Sequence, residues 1–217
     1  MGRVRVYVDG FNLYYGALKP RPSCKWLDLV ALAQLLRPSD DIEAVRYFTA
    51  RVNGDRDATS PGRQKLYLTA LGTQPIVSVH FGQYRTHPVS MPLANPVPGR
   101  SAVVQVLKTE EKGSDVNLAT YLLLDGLDGL YDDALVISDD SDLEGPIREA
   151  KDRFGPVHVV SPRGPTATPS GPKAPYVMSH AGSSWTPLDP ALLNAAQLPS
   201  PLLLPSGRTI FRPPRWT

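Results

Sequence analysis

Apolar positions along the chain follow two rhythms, and each rhythm predicts a kind of element. Residues 4–8 (Val-Arg-Val-Tyr-Val) alternate and favour β structure, which predicts a first strand. Residues 134–137 are four consecutive apolar residues, Ala134, Leu135, Val136 and Ile137, the pattern of a strand buried on both faces of a parallel sheet. Residues 157–160 predict a last central strand, residues 42–52 (with Val45, Tyr47 and Phe48) and 76–81 predict two more, and 102–107 is a further candidate. Helical spacing places Trp26, Leu29, Val30, Ala33 and Leu36 on one stripe ended by Pro38, and Gln64, Tyr67, Leu68 and Leu71 on another closed by Gly72. Val116, Ala119, Thr120, Leu123 and Leu127 predict the buried stripe of a longer helix that starts near Asp115. Residues 53–62 read as a polar loop, and residues 87–100, with Pro88, Pro92, Pro96 and Pro98, as a loop or an insertion on the sheet edge. Strands alternating with helices predict an α/β domain with a mostly parallel sheet over residues 1–161.

The pattern changes at residue 162. Twelve of the 23 prolines follow Ser161, and the apolar residues there fall in short patches such as Leu202, Leu203 and Leu204. Residues 163–175 read as a flexible loop, and residues 162–217 as a Pro-rich arm that packs on the body without forming an independent domain. The arm carries five basic side chains (Arg163, Lys173, Arg208, Arg212 and Arg215) against Asp189 alone. Its local charge is therefore +4, which leaves the body at −2 within the overall +2. An acidic body with a basic tail suits a carboxylate site whose polyanionic substrate is held partly elsewhere, although the same charges also keep a Pro-rich segment solvated. The single cysteine, Cys24, excludes an internal disulfide framework and a zinc site of several thiolates. No apolar run approaches membrane-spanning length, and residues 1–8 read as a strand and not a signal peptide. A cytoplasmic protein is expected.

Candidate chemistry gathers where strands end. The strand at 134–137 runs into Ser138-Asp139-Asp140-Ser141-Asp142, three carboxylates within four positions. Ligands of an open α/β sheet bind outside the carboxyl ends of its strands, and crowded carboxylates there need an offsetting charge, usually a divalent cation. A helix has one N-cap, so capping does not need three acids. Asp9 ends the first strand, and Asp115 stands at the start of the long helix. Each has a plain alternative: Asp9-Gly10 is a common turn pair, Asn12 a helix cap, and Asp115 a favourable partner of the helix macrodipole. Arg51 at the end of the second strand and Lys112 beside Asp115 are candidate phosphate contacts, or simply solvated cations. His80 reads as a packed strand residue, because no second histidine lies at metal spacing. The strand order is Rossmann-like, but the first turn lacks the Gly-rich dinucleotide fingerprint, and neither a P-loop nor a nucleophile with its base is marked.

Asp9-Gly10-Phe11-Asn12, Lys112-Gly113-Ser114-Asp115-Val116 and Ser138-Asp139-Asp140-Ser141-Asp142 together resemble, in order and spacing, the signature blocks of NYN-domain proteins. These belong to the PIN-like nuclease superfamily, and the chain is most similar to its LabA-like branch, whose tail the segments Gln197-Leu198-Pro199 and 211–216 also resemble. The resemblance covers residues 4–161. It implies a Rossmann-like three-layer sandwich and a metal-dependent endoribonuclease. Asp9, Asp115, Asp140 and Asp142 would be catalytic and bind Mg²⁺ or Mn²⁺. Asn12, Arg51, Lys112, Ser138 and Ser141 would support the site or contact substrate. Asp139 is the weakest of the acids, since many relatives carry Gly or Asn there. RNA, or single-stranded nucleic acid more broadly, is the expected partner, with a homo-oligomer as a further option. The competing expectations are a non-catalytic RNA-binding or regulatory module with a structural ion, and a phosphatase acting on small nucleotides.

Overall fold

The computed structural model describes residues 2–54, 57–168, 171–173 and 176–216. Strand β1 (Arg3–Asp9) leads into a short helix α1 (Gly10–Leu13) and a π-helical turn (Tyr14–Leu18). Helix α2 (Leu29–Leu36), strand β2 (Asp41–Thr49), helix α3 (Ser60–Leu71) and strand β3 (Val77–Phe81) follow. A ribbon of β4 (Gln83–Pro92) and β5 (Val103–Lys112) precedes helix α4 (Ser114–Leu127). Then come β6 (Asp133–Ile137), α5 (Glu144–Arg153) and β7 (Val157–Ser161). The last segment holds a short pair, β8 (Thr166–Thr168) and β9 (Gly171–Lys173), then α6 (Tyr176–Ala181), β10 (Ser184–Pro187) and α7 (Pro190–Ala195).

Six strands form one sheet in the order β10-β7-β6-β1-β2-β3, with every pairing parallel. The side-chain period of two sends alternate residues of each strand to opposite faces. Val4, Val6 and Val8 of β1 with Leu135 and Ile137 of β6 face a core shared with Leu32 of α2, Leu71 of α3 and Leu193 of α7. Tyr7, Ala134, Val136 and Val159 face the other core, against Leu118 and Leu122 of α4, Ile147 of α5 and Met178 of α6. Helices on both faces give the three layers. The chain winds from β1 outward through β2 and β3, then returns to the other side of β1 for β6 and β7, so the order reverses between β1 and β6. A doubly wound sheet opens its ligand crevice at that reversal, beyond the carboxyl ends of the two strands.

Three expectations are corrected. Of residues 87–100, expected to be a loop or an insertion on the sheet edge, 87–92 belong to strand β4, which pairs antiparallel with β5 from Gln83↔Lys112 to Pro92↔Val103, so the candidate strand at 102–107 belongs to this ribbon and not to the main sheet. A two-stranded ribbon tolerates Pro88 and Pro92 because, among the described residues, neither of its outer edges pairs with a further strand. In α4, the expected stripe is only partly the buried one: Ala119 and Leu123 pack against the core, but Val116 is 67% and Leu127 69% exposed and Thr120 is exposed, whereas Leu118, Leu122 and Asp125 are buried. Asp125 fixes that rotation, accepting from the Tyr7 hydroxyl at 2.8 Å and from Arg46 Nε and Nη2 at 2.7 and 2.8 Å. Arg5 Nη1 adds an ion pair at 3.1 Å. Third, within residues 163–175, β8 and β9 pair with each other, while 169–170 and 174–175 lie outside the described residues.

The arm packs closely on the body. Strand β10 extends the main sheet beside β7, and Trp216 meets Trp26 and Tyr67 with ring centroids 6.3 and 6.1 Å apart. Trp26 itself is fully buried and donates its indole N–H to the Pro199 carbonyl at 3.1 Å. Among the described residues no helix is long and apolar enough to cross a membrane.

Candidate metal centre

Three chain segments deliver one carboxylate each to the crevice between β1 and β6. Asp9 ends β1 and caps α1, its Oδ1 accepting from the backbone N–H groups of Phe11 and Asn12 at 3.1 and 2.9 Å. Its Oδ2 accepts from Asn12 Nδ2 and from the Ser138 hydroxyl, each at 2.9 Å. Gly10 is required here for space: a Cβ on it would stand 2.7 Å from the Phe48 carbonyl oxygen of β2. Beyond β6, Ser138 Oγ accepts from the Asp140 N–H at 3.0 Å, and Asp140 Oδ1 accepts from the Asp142 N–H at 3.0 Å, capping a 3₁₀ turn over Ser141–Leu143. The third carboxylate arrives on α4. Gly113, at φ +97°, turns the ribbon into the helix, Glu111 accepts from the Ser114 N–H and hydroxyl at 3.2 and 2.7 Å, and Asp115 stands in the first turn.

One carboxylate oxygen from each of Asp9, Asp115 and Asp140 lies within 4.8 Å of the others. Among the described residues, no lysine or arginine forms a salt bridge with any of the three. The electrostatic consequence is clearest at Asp115, half-buried and pushed up to about 7, first by burial and then by the charges of Asp9, Asp140, Glu111 and Asp142. Burial also raises Asp9, against the pull of its Asn12 and Ser138 hydrogen bonds. Three converging carboxylates offer hard oxygen ligands only, and that donor set fits Mg²⁺ or Mn²⁺ in preference to thiophilic ions.

The other candidate residues take varied places. Asn12 and Ser138 lie inside the cluster as donors to Asp9, and the Asn12 side-chain oxygen also accepts from the Asp139 N–H at 3.3 Å. Asp142 and Ser141 are exposed on the 3₁₀ turn; the Asp142 charge reaches Asp115, but its carboxylate is not one of the three that converge. Asp139 turns away, accepting from the Arg163 N–H at 2.8 Å. Arg51 is exposed and lies over the Phe81 ring at 4.6 Å, and Lys112 is exposed and pairs with Glu110 at 3.4 Å. Neither is drawn into the cluster. His80 stacks on Phe48 with centroids 5.0 Å apart. Glu111 escaped the sequence reading, although a glutamate three residues before a helix-starting serine was its visible signal. Also unforeseen was a cleft of about 590 Å³ beside the cluster, lined by Gly10, Phe11 and residues from segments spread between Tyr14 and Trp216.

A family model described as NYN domain matches residues 3–179. The chain is 29% identical to the 6-hydroxy-3-succinoylpyridine 3-monooxygenase HspA of Pseudomonas putida, over 99% of this chain and 75% of that protein. Among solved structures it resembles a protein of unknown function from Vibrio parahaemolyticus, with a TM-score of 0.50, 13% identity, and coverage of 87% of this chain and 93% of the other. That likeness speaks to the fold alone.

Proposed function

The chain belongs to the NYN domain family, a PIN-like nuclease family, and on that premise we propose that it is a metal-dependent ribonuclease. The observation that carries the reading is the convergence of Asp9, Asp115 and Asp140 from three separate segments at the reversal of strand order. These three would hold Mg²⁺ or Mn²⁺, with Asp142 adding negative charge from one turn away. A divalent cation supplies Lewis-acid stabilisation of the charge that develops on the phosphoryl oxygens during phosphodiester hydrolysis. Asp9 is locked by its backbone and side-chain donors, so its free lone pairs keep one direction. Ser138 couples Asp9 to the Asp140 backbone and keeps β1 and β6 in register at the site. Arg51, Lys112 and Ser141 stand further out, where they would meet a bound strand rather than the scissile bond.

Purified protein should cleave RNA only with Mg²⁺ or Mn²⁺ present, and Asp140→Asn should stay folded and lose cleavage. Undiminished cleavage by that variant would remove the assignment. RNA binding without turnover under any divalent ion would instead favour the non-catalytic binding module. A second reading comes from the Pseudomonas relative, which acts as a monooxygenase on a substituted pyridine. The aromatic cleft beside the cluster is the observation in its favour, and dioxygen consumption with an added reductant and a pyridine acid would reveal it.

A further inference from the structure

The cleft beside the carboxylates has chemistry that the metal centre does not use. It begins at Gly10 and Phe11, directly after Asp9, and has a volume of about 590 Å³, within the range of small-ligand sites. The π-helical turn Tyr14–Leu18 lines one wall, and such turns inside helices are frequent at functional sites. Its widened winding presents Tyr14 and Tyr15 side by side, ring centroids 5.2 Å apart at 82°. Lys19 Nζ stands 5.0 Å from the Tyr15 ring centroid and Lys25 Nζ 5.2 Å from that of Tyr14. On the other side Tyr84, from the ribbon, meets the Phe11 ring edge-on at 5.8 Å.

Charge in the cleft is unbalanced. Arg63 is occupied by Asp57 at 2.6 Å, but among the described residues neither Lys19 nor Lys25 is paired with a carboxylate. Lys25 is held below its ordinary pKa by burial and by the charges of Arg63 and Lys19. Among the described residues these two lysines, each over an aromatic ring, have no carboxylate partner, and Tyr14 and Tyr15 meet only edge-on, with no ring stacked face to face on either. A nucleotide supplies both: a base to stack on an aromatic face and a phosphate to lie between the ammonium groups.

We propose that this cleft binds one unpaired nucleotide of the substrate strand, its base against Tyr14 and Tyr15 and its phosphate at Lys19 and Lys25. The site next to the scissile bond must then be single-stranded, because a base held in a duplex cannot enter. The inference rests on the nuclease reading for the identity of the strand, but binding in the cleft needs no metal.

Fluorescence anisotropy of a labelled single-stranded oligoribonucleotide in EDTA tests it without cleavage. Wild type and Asp140→Asn should both bind, and the same sequence in duplex form should bind at least about tenfold more weakly. Lys19→Gln with Lys25→Gln, and separately Tyr15→Ala, should each weaken single-strand binding by about tenfold, and the lysine pair should flatten its salt dependence. Lys19 and Tyr15 are exposed and Lys25 is half-buried, so both variants should fold, which a thermal melt checks. A free mononucleotide should compete, and a small aromatic carboxylate should not. Unchanged affinity in these variants, equal binding of duplex, or displacement by the aromatic acid alone would overturn the proposal. Metal-dependent cleavage with unaffected variants would sink the cleft and leave the nuclease standing. Nucleotide binding that depends on the lysines, with no cleavage under any ion, would do the reverse.

Discussion

Asp9 and Asp115 show how differently one site treats two of its carboxylates. Asp9 is almost wholly buried, and four hydrogen-bond donors offset part of that burial, which still holds its carboxyl above the usual range. Asp115 faces the same neighbours from the first turn of α4, and burial together with their charges pushes it up to about 7. In the absence of a cation, Asp115 is therefore a source of repulsion, and its amide isostere should relieve it. Asp115→Asn is expected to raise stability in EDTA by about 0.5–2 kcal/mol, the usual size of a single stabilising substitution, and the melting temperature with it. The same variant should lose the further rise that Mn²⁺ gives the wild type. A melt with and without Mn²⁺ checks both, and a variant that is less stable in EDTA would show that Asp115 is a structural acid.

Helix α4 depends on a second carboxylate at its far end. Burial works to raise Asp125, but hydrogen bonds from Arg46 and Tyr7, with the charge of Arg46, outweigh it and hold the group below the usual carboxylate range. A folded-state pKa below the unfolded one means that the stabilisation is complete above about pH 4, the ordinary aspartate value, and is lost as pH falls through the folded value. Asp125→Asn should flatten that acid limb. It should also cost about 3 kcal/mol at neutral pH, because it leaves the Arg5 and Arg46 charges without their carboxylate under the sheet. Chemical denaturation at pH 7 and pH 3 measures both effects. This residue also explains where the sequence was hard to read. The apolar positions of α4 suggest a stripe through Val116 and Leu127, but an ionised aspartate on the buried face rotates the helix, and no hydrophobic pattern signals that. The ribbon was hidden for a related reason: prolines argue against a central strand, while a two-stranded ribbon accepts them. The central strands were legible, since Val4 to Val8 and Ala134 to Ile137 carry their burial in their composition. The carboxylates were legible because they follow those strands or begin a helix. The cleft was not, because its walls come from segments far apart in sequence.

For the whole molecule, the Pro-rich arm completes one side of the sandwich. Leu188, Leu193, Leu198, Leu204, Ile210 and Trp216 join the core cluster that holds Trp26 and β1, and Trp216 also lines the cleft. We propose that residues 162–217 fold only with the body. Trp216→Ala should destabilise the protein by about 3 kcal/mol, the lower end for truncating a buried tryptophan. It should do so in a single cooperative transition, read by denaturant unfolding with far-UV and fluorescence probes. Two transitions would mark the arm as a unit of its own. Nearly all the arm's charge is basic, and Arg215 pairs with Asp57 at the cleft side of the body at 3.2 Å.

The most direct measurement is cleavage of a labelled single-stranded RNA of mixed sequence, beside the matching DNA, by purified protein in Mn²⁺, Mg²⁺ or EDTA, with Asp140→Asn prepared identically. Cleavage of RNA that requires the ion and disappears in the variant is the result expected if Asp9, Asp115 and Asp140 form a ribonuclease metal centre. Cleavage that persists in EDTA or in Asp140→Asn, or none at all from folded wild type, would contradict it.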